Sequence, residues 1–527
     1  MKNLIRSAAI SVACMIAFCS LSLVGASAST DLEIKAGEGY AYVSDCDERA
    51  KGIVEIPETY GGLPVTAIYP EAFKNCGQIT EITVPESITR IHSNAFDSCV
   101  ALKKVVVSNP SCEIGTAAFV YCSALESVEL PSQLKTIPNE AFGHCLALKS
   151  IEIPSTVTLI GTEAFRMCTS LTQVDIPASV TAIRLNAFLG CSSVEAYNVA
   201  SGNTVYSSKN GVLYGPFKSS YDPDEYEPSA DKTLIQYPNA AAATSFTAPS
   251  DVLVIADSAF RDNATLTSVT LPNGLKSIEA GAFYNCSALI NVNVPSTVTK
   301  IGSKAFGECD SLKKITIPGS VEALEDVFYA SGLEEVIISE GVTKIGTRNF
   351  ENCASLKSVT IPSSVKSIGA GAFYNCSSLE TLSIPASVTS IGSNAFTGCD
   401  KLKLTVEKGS AAYTYAVNNG IDCEIKEEKP VEKSVVSVEI TTLPSKLGYY
   451  YKETLNTSGM KLNVTYSDGS AETVTSGFEA SPKTLNKTGV QKITVTYGGC
   501  SDSFDVSVSY AWWQWIIRIL LLGILWY

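Results

Sequence analysis

The 527 residues contain only two histidines, His92 and His144. That scarcity leaves little room for chemistry built on an imidazole, whether general base, triad member or metal ligand. Both fall in variable slots, beside Ile91 and Cys145, and are read as surface spacers. No Gly-x-x-x-x-Gly-Lys phosphate loop and no Gly-x-Ser-x-Gly elbow occurs. The 17 cysteines include none of the Cys-x-x-Cys pairs that zinc sites use. Basic residues are outnumbered, 39 Lys and Arg against 53 Asp and Glu, for a net charge of −14. With no basic stripe to offset it, this balance argues against a nucleic-acid partner. No two acids stand out as a hydrolase pair would. The expectation is a chain that is not an enzyme and needs no cofactor or metal.

What is present is repetition. Phe73, Phe96, Phe119, Phe142, Phe165 and Phe188 follow one another at steps of 23 residues. Phe260, Phe283 and Phe306 resume the step, Phe328 and Phe350 follow at 22, and Phe373 and Phe396 return to 23. A cysteine stands three residues after most of them, from Cys76 to Cys399. The unit reads Leu-x-x-Val/Ile-x-Ile/Leu-Pro-x-Ser-Val-Thr-x-Ile-Gly-x-x-Ala-Phe-x-x-Cys, and Leu148 to Cys168 is a clean copy. A period of about 20–29 residues with leucines so placed marks a leucine-rich solenoid. Val-x-Ile-Pro predicts a short strand ended by proline, which has no N–H for the ladder. Val-Thr-x-Ile predicts a second extended piece. Ile-Gly is read as a turn at positive φ. Ala-Phe-x-x-Cys is read as a short helical turn with phenylalanine and cysteine inward. The fold class expected is mostly β with short helical turns, a 23-residue-unit solenoid followed by an Ig-like β-sandwich.

Residues 1–28 read as a signal peptide: Lys2 and Arg6, an apolar run from Ala8 to Val24, then Ala26-Ser27-Ala28. An uncleaved membrane anchor is the competing reading. Removing Lys2 and Arg6 with the leader leaves 37 basic against 53 acidic residues, or −16. Fifteen cysteines remain. Ladder cysteines point the same way at about 4.8 Å per step, wide for the Cβ separation of about 3.8 Å that a disulfide prefers. Buried thiols are therefore expected over disulfides. Cys46, Cys112, Cys423 and Cys500 lie off the ladder.

The Leu-Pro, Ile-Gly and Ala-Phe-x-x-Cys landmarks resemble the BspA-type leucine-rich repeat over roughly residues 50–405. The resemblance implies a secreted or surface-attached bacterial protein, with adhesion to host matrix proteins or other cells as the associated role. The array departs from its pattern at Asn109-Pro110-Ser111-Cys112 and between Val321 and Glu340, where Ser331 replaces the cysteine and Glu340 the proline. The largest departure, 192–250, reads as a hairpin insert turning at Asn210-Gly211. Its acidic loop carries Asp222, Asp224 and Glu227; a calcium site and a solvated loop are the two readings, and the spacing lacks the EF-hand glycine.

The expected organisation is a capping segment at 29–62, the solenoid at 63–425 and a charged linker at 426–433. An Ig-like domain follows at 434–509 and a hydrophobic aromatic tail at 510–527. Tyr466-Ser-Asp-Gly469, Thr488-Gly489 and Val495-Thr-Tyr497 resemble bacterial Ig-like domains, without the Cys…Trp…Cys signature of antibody domains. The tail, Trp512 to Tyr527, is read as membrane-associated, as a self-association or docking segment, or as an export-related tag. As a helix it spans about 24 Å, short of the ~30 Å hydrocarbon core. No Leu-Pro-x-Thr-Gly sorting signal is present.

A solenoid offers surface. One outward strand column runs Thr83, Val106, Glu129, Glu152, Asp175, then Thr270, Asn293, Thr316. Glu129, Glu152 and Asp175 are expected at adjacent steps, where like charges are unfavourable. They form a candidate site for a basic partner or a cation, against the alternative of a solubilising surface. Thr270, Asn293 and Thr316 extend the candidate face. Tyr449, Tyr450 and Tyr451 are a separate aromatic candidate, or strand-edge packing. The expected function is a secreted or cell-surface, adhesin-like binding protein with a protein ligand on host matrix or another cell. The alternative is a structural envelope protein that self-associates or binds wall glycan.

Overall fold

A computed structural model describes residues 31–217, 231–426 and 433–524. The leader and the acidic loop lie outside the described residues. The chain divides into two compact units at Lys426–Glu427.

In the first unit each repeat turn contributes to three parallel columns. The Val-x-Ile segments pair in register one period apart, as Ile82 with Val105 and Val105 with Val128. The Thr-x-Ile segments do the same, as Ile137 with Ile160 and Ile160 with Ile183. Alternation turns one side chain in and the next out, so Val174 and Ile176 are buried while Gln173 and Asp175 are exposed. The third column is the Ala-Phe-x-x-Cys segment. The Phe142 N–H donates to the Ala164 carbonyl at 2.9 Å and the Phe165 N–H to that of Ala187 at 2.8 Å. The helical turn expected there is a run of turns closed from residue i to i+3, such as the Cys168 N–H to the Phe165 carbonyl.

The glycines correct the sequence reading. Ile-Gly does not place glycine at positive φ. A Cβ at Gly161 would meet the Asn139 nitrogen at 2.6 Å, and one at Gly302 the Ala280 nitrogen at 2.4 Å. Glycine is required because the backbones of neighbouring turns touch. The positive φ angles belong to residues two before and two after the phenylalanine, as Glu163 at 55° and Met167 at 58° around Phe165.

Inside, the phenylalanines stack as a column. Ring centroids lie from 4.8 Å apart at Phe73–Phe96 to 6.0 Å at Phe306–Phe328. Beside them runs a ladder of thiols. Cys145 Sγ donates to the Phe119 carbonyl at 3.3 Å, Cys168 to Phe142 at 3.2 Å and Cys191 to Phe165 at 3.1 Å, and the pattern recurs to Cys399. Among the described residues all 15 cysteines are free. Burial pushes the Cys191 and Cys309 thiols up to about 12 and that of Cys353 to about 11. Where serine replaces the cysteine, Ser331 is buried and its hydroxyl meets Cys353 Sγ at 3.3 Å.

Both ends of the core are covered. A hairpin, Leu32–Ala36 against Ala41–Cys46, lies on Leu63–Ile68. At the other end the helix Ala411–Asn419 is capped by Ser410 Oγ and by Gly420 at φ 67°, and Tyr415 closes the ring column edge-on to Phe396 at 5.8 Å. The insert is a hairpin turning at Asn210 and Gly211, both at positive φ. Its second strand, Val212–Gly215, pairs with Thr233–Gln236, which restarts the ladder against Val254–Ile255. Tyr237 then takes the ring position, stacked on Phe260 at 5.1 Å. One hydrophobic core runs through both halves of the array.

The second unit is a sandwich of two sheets. Val435–Thr442, Lys461–Tyr466 and Ala471–Val474 form one; Gly448–Tyr450, Cys500–Ser509, Gly489–Tyr497 and Glu479–Ser481 form the other, in the stated order. Gly469 at φ 81° makes the tight turn expected at Asp468-Gly469. The core is small and separate, centred on Leu462, Val464, Leu485, Ile493 and Val495.

Candidate functional site

The six candidate side chains all stand exposed on the outer strand column. They are not one constellation. Glu129 ends one sheet, pairing with Val106, and Asp175 begins the next, pairing with Asn198. Residues 150–153 between them carry no strand. The ladder is thus interrupted where three carboxylates follow one another, and like charges oppose close lateral approach. Two of the three are partnered. Glu129 lies 3.7 Å from Lys104 Nζ. Asp175 accepts from Gln173 Nε2 at 2.7 Å and from Asn198 Nδ2 at 2.9 Å. Glu152 stands exposed between them, with no salt bridge among the described residues. It shares with Asp175, Asn198 and Ser150 a shallow groove of about 540 Å³.

Among the described residues no group of three or more His, Cys, Asp or Glu is placed to hold a metal ion. Asp222, Asp224 and Glu227 lie outside the described residues.

Thr270 and Asn293 face each other in register on adjacent strands. Thr316 belongs to the following sheet, paired with Ile337. Thr270 also lines a wider cleft of about 660 Å³, walled on one side by Lys209, Asn210 and Tyr214 of the insert and on the other by Phe246 and Asn273. Sequence reasoning placed the insert and the column separately. Their convergence comes from the ladder restarting beside the hairpin, which no local pattern signals.

The two histidines are more than spacers. His92 packs on Tyr69 at 5.2 Å, and Tyr69 stacks on Tyr42 at 3.7 Å. His144 stacks on Tyr121 at 4.5 Å. Partial burial, with Arg90 and Arg166 nearby, lowers the pKa of His92 and His144 respectively. They form outer ring stacks at repeat positions. The three tyrosines of the sandwich divide: Tyr449 is buried with its hydroxyl accepting from the Asn456 N–H at 3.1 Å, Tyr450 is exposed, and Tyr451 packs on Tyr510.

Comparison with known proteins agrees with this architecture. Residues 442–508 match the group 3 bacterial Ig-like domain. The chain is similar to a leucine-rich repeat protein from Eubacterium ventriosum, at 28% identity and a TM-score of 0.56, covering 70% of this chain and 93% of that one. It is also similar to a leucine-rich cell surface protein from Faecalibacterium prausnitzii, at 27% identity and a TM-score of 0.48, covering 76% and 98% of the two chains. No curated protein matches. Residues 66–203, 237–327 and 324–413 match the BspA type leucine-rich repeat region in six copies. These spans exceed half of the sequence and coincide with the stacked turns, so the chain belongs to the BspA-type leucine-rich repeat family, a class of generally non-catalytic repeat proteins.

Proposed function

We propose that this is an exported, adhesin-like binding protein. Its solenoid presents the outer strand column to a protein ligand on host matrix or on another cell. The observation that carries the reading is the division of labour within each turn. Inward positions are committed to the ring and thiol columns, while the outward column from Glu129 to Thr316 is exposed and differs from turn to turn. Such a surface can diverge without disturbing the core. Glu152, unpaired in its groove, gives the face a point of attraction for a basic ligand. The leader, with its basic start and apolar run, supports export.

The test is binding of the full chain to matrix proteins and to wall polymers. The comparison is a variant carrying Glu129→Lys, Glu152→Lys and Asp175→Lys. Saturable binding to a basic matrix protein is expected, weakening with salt and lost in the variant. Binding to wall polymer alone, or concentration-dependent self-assembly, would instead assign a structural envelope role.

A further inference from the structure

The terminal helix, Trp512–Ile524, leaves the apolar side chains of residues 512–521 largely uncovered. Trp512, Trp513, Trp515, Ile516, Ile517, Ile519, Leu520 and Leu521 are each between 46% and 76% exposed. At about 100° per residue these eight sweep an arc of about 240° around the helix. Among residues 512–521 the remaining arc holds Gln514 and Arg518, one turn apart on one face. That polar face is already occupied. Gln514 Oε1 accepts from the Ala511 N–H at 2.9 Å, and its Nε2 donates to the Tyr451 carbonyl at 3.1 Å. The Arg518 guanidinium lies over the Tyr510 ring at 4.9 Å and donates to its hydroxyl. Trp515 meets the same ring edge-on at 5.6 Å. The sandwich thus holds the helix by Gln514, Arg518 and one edge of Trp515, and leaves the other apolar side chains of residues 512–521 facing outward.

We infer that this helix is an interfacial membrane anchor, lying in the surface of a lipid bilayer. A helix apolar around most of its circumference requires an apolar medium on several sides, not a single flat partner. A second copy would cover one stripe. Thirteen residues make a helix about 20 Å long and about 10 Å wide, so one covered face falls well below the ~800 Å² per side of a stable interface. The same length cannot cross a hydrocarbon core of about 30 Å, and no described helix is long and apolar enough to do so. Tryptophan rings suit the boundary between headgroups and acyl chains. Docking Arg518 against Tyr510 keeps the one cation of the helix on the side away from the lipid. Attachment is by apolar burial, since the whole chain carries −14. Neutral vesicles therefore bind at least as well as anionic ones. The inference is independent of any ligand of the solenoid.

The sequence supplies a built-in probe: all four tryptophans, Trp512, Trp513, Trp515 and Trp526, lie in this tail. Tryptophan emission of the full chain is to be followed while phosphatidylcholine vesicles are added, with and without brominated acyl chains. A blue shift, quenching by the brominated lipid and co-flotation with the vesicles are expected. Ile516→Asp and Leu520→Asp change exposed residues and should each weaken vesicle binding by about tenfold or more, with the melting of the sandwich unaltered. Gln514→Ala should retain binding, because the lipid-facing arc is intact. Emission indifferent to vesicles overturns the inference. So does a blue shift that rises with protein concentration in lipid-free buffer, which would assign the helix to a second copy.

Discussion

A core residue of the solenoid packs on its own counterpart one turn away. A core residue of the sandwich packs on unlike residues from strands distant in the chain. Phe165 lies between Phe142 and Phe188, at 5.6 Å from each. In the sandwich, Gly448–Tyr450 pairs with Ser507–Ser509, about sixty positions along. The difference is one of contact range. In the solenoid a single rule, applied again at each step, specifies every contact. In the sandwich each contact is specified separately: Gly489–Tyr497 meets Cys500–Ser509 across a tight turn, while the pairing of Gly448–Tyr450 must close a long loop first. The two units should therefore respond differently to the same class of perturbation, and calorimetry of the full chain can resolve two transitions.

Alkaline pH should separate them most. The thiols of Cys112, Cys191, Cys309 and Cys353 are raised from an ordinary value of 9.0 to about 11–12 by burial. Above pH 9 the unfolded chain loses these protons while the folded chain keeps them. Stability is therefore fully present below pH 9 and falls as pH rises toward 11–12. The slope is up to about 1.4 kcal/mol per pH unit for each thiol. The sandwich holds only Cys500, half-buried at its surface. A scan from pH 8 to pH 11 should lower the solenoid transition steeply and the sandwich transition little. Coincident shifts would show that these buried thiols are not the cause. Of the 15 cysteines among the described residues, a thiol reagent should label only the half-buried Cys423 and Cys500 in native protein at pH 8.

Phe165→Ala comes next. It removes one ring from a fully buried column and should cost about 3–5 kcal/mol. The solenoid transition should fall and the sandwich transition stay in place. An unchanged solenoid would mean that the ring column is not the core.

Two glycines sharpen the comparison further. Gly302→Ala puts a methyl group 2.4 Å from the backbone of the previous turn, and overpacking of that kind costs about 1–3 kcal/mol. Gly469→Ala in the sandwich meets open space at φ 81°, so only the left-handed conformation is penalised, by about 1 kcal/mol. Equal costs would refute the close-approach account of the Ile-Gly motif. The smallest effect should come from Lys357→Ala. It removes a 2.6 Å ion pair with Glu334 between largely exposed side chains, and no resolvable change in either transition is expected.

The same contrast governs what could be read in advance. In the solenoid the period, the inward residues and the free state of the thiols follow from the repeat. The thiol donating to the phenylalanine carbonyl one turn back is not apparent, because cysteine as a small apolar filler fits the pattern equally well. In the sandwich, Val435–Thr442 and Gly489–Tyr497 alternate visibly. Gly448–Tyr450 and Glu479–Ser481 are too short to show alternation, and they are strands only because neighbours accept them. The candidate face was legible as a column. Its division was not: Glu129 is paired with Lys104 and Asp175 is hydrogen-bonded by Gln173 and Asn198, whose reach depends on side-chain conformation.

The sequence by itself determined the solenoid, since a 23-residue period with fixed inward positions can bury its apolar face only against its own repeats. It also determined the second, unlike unit and the scarcity of histidine. The tertiary structure alone decided why Ile-Gly needs glycine, which carboxylate is left unpaired, and which face of the terminal helix is spoken for. Each of these is settled by distances between groups that lie a turn or a domain apart in the chain, and local pattern carries no record of such distances.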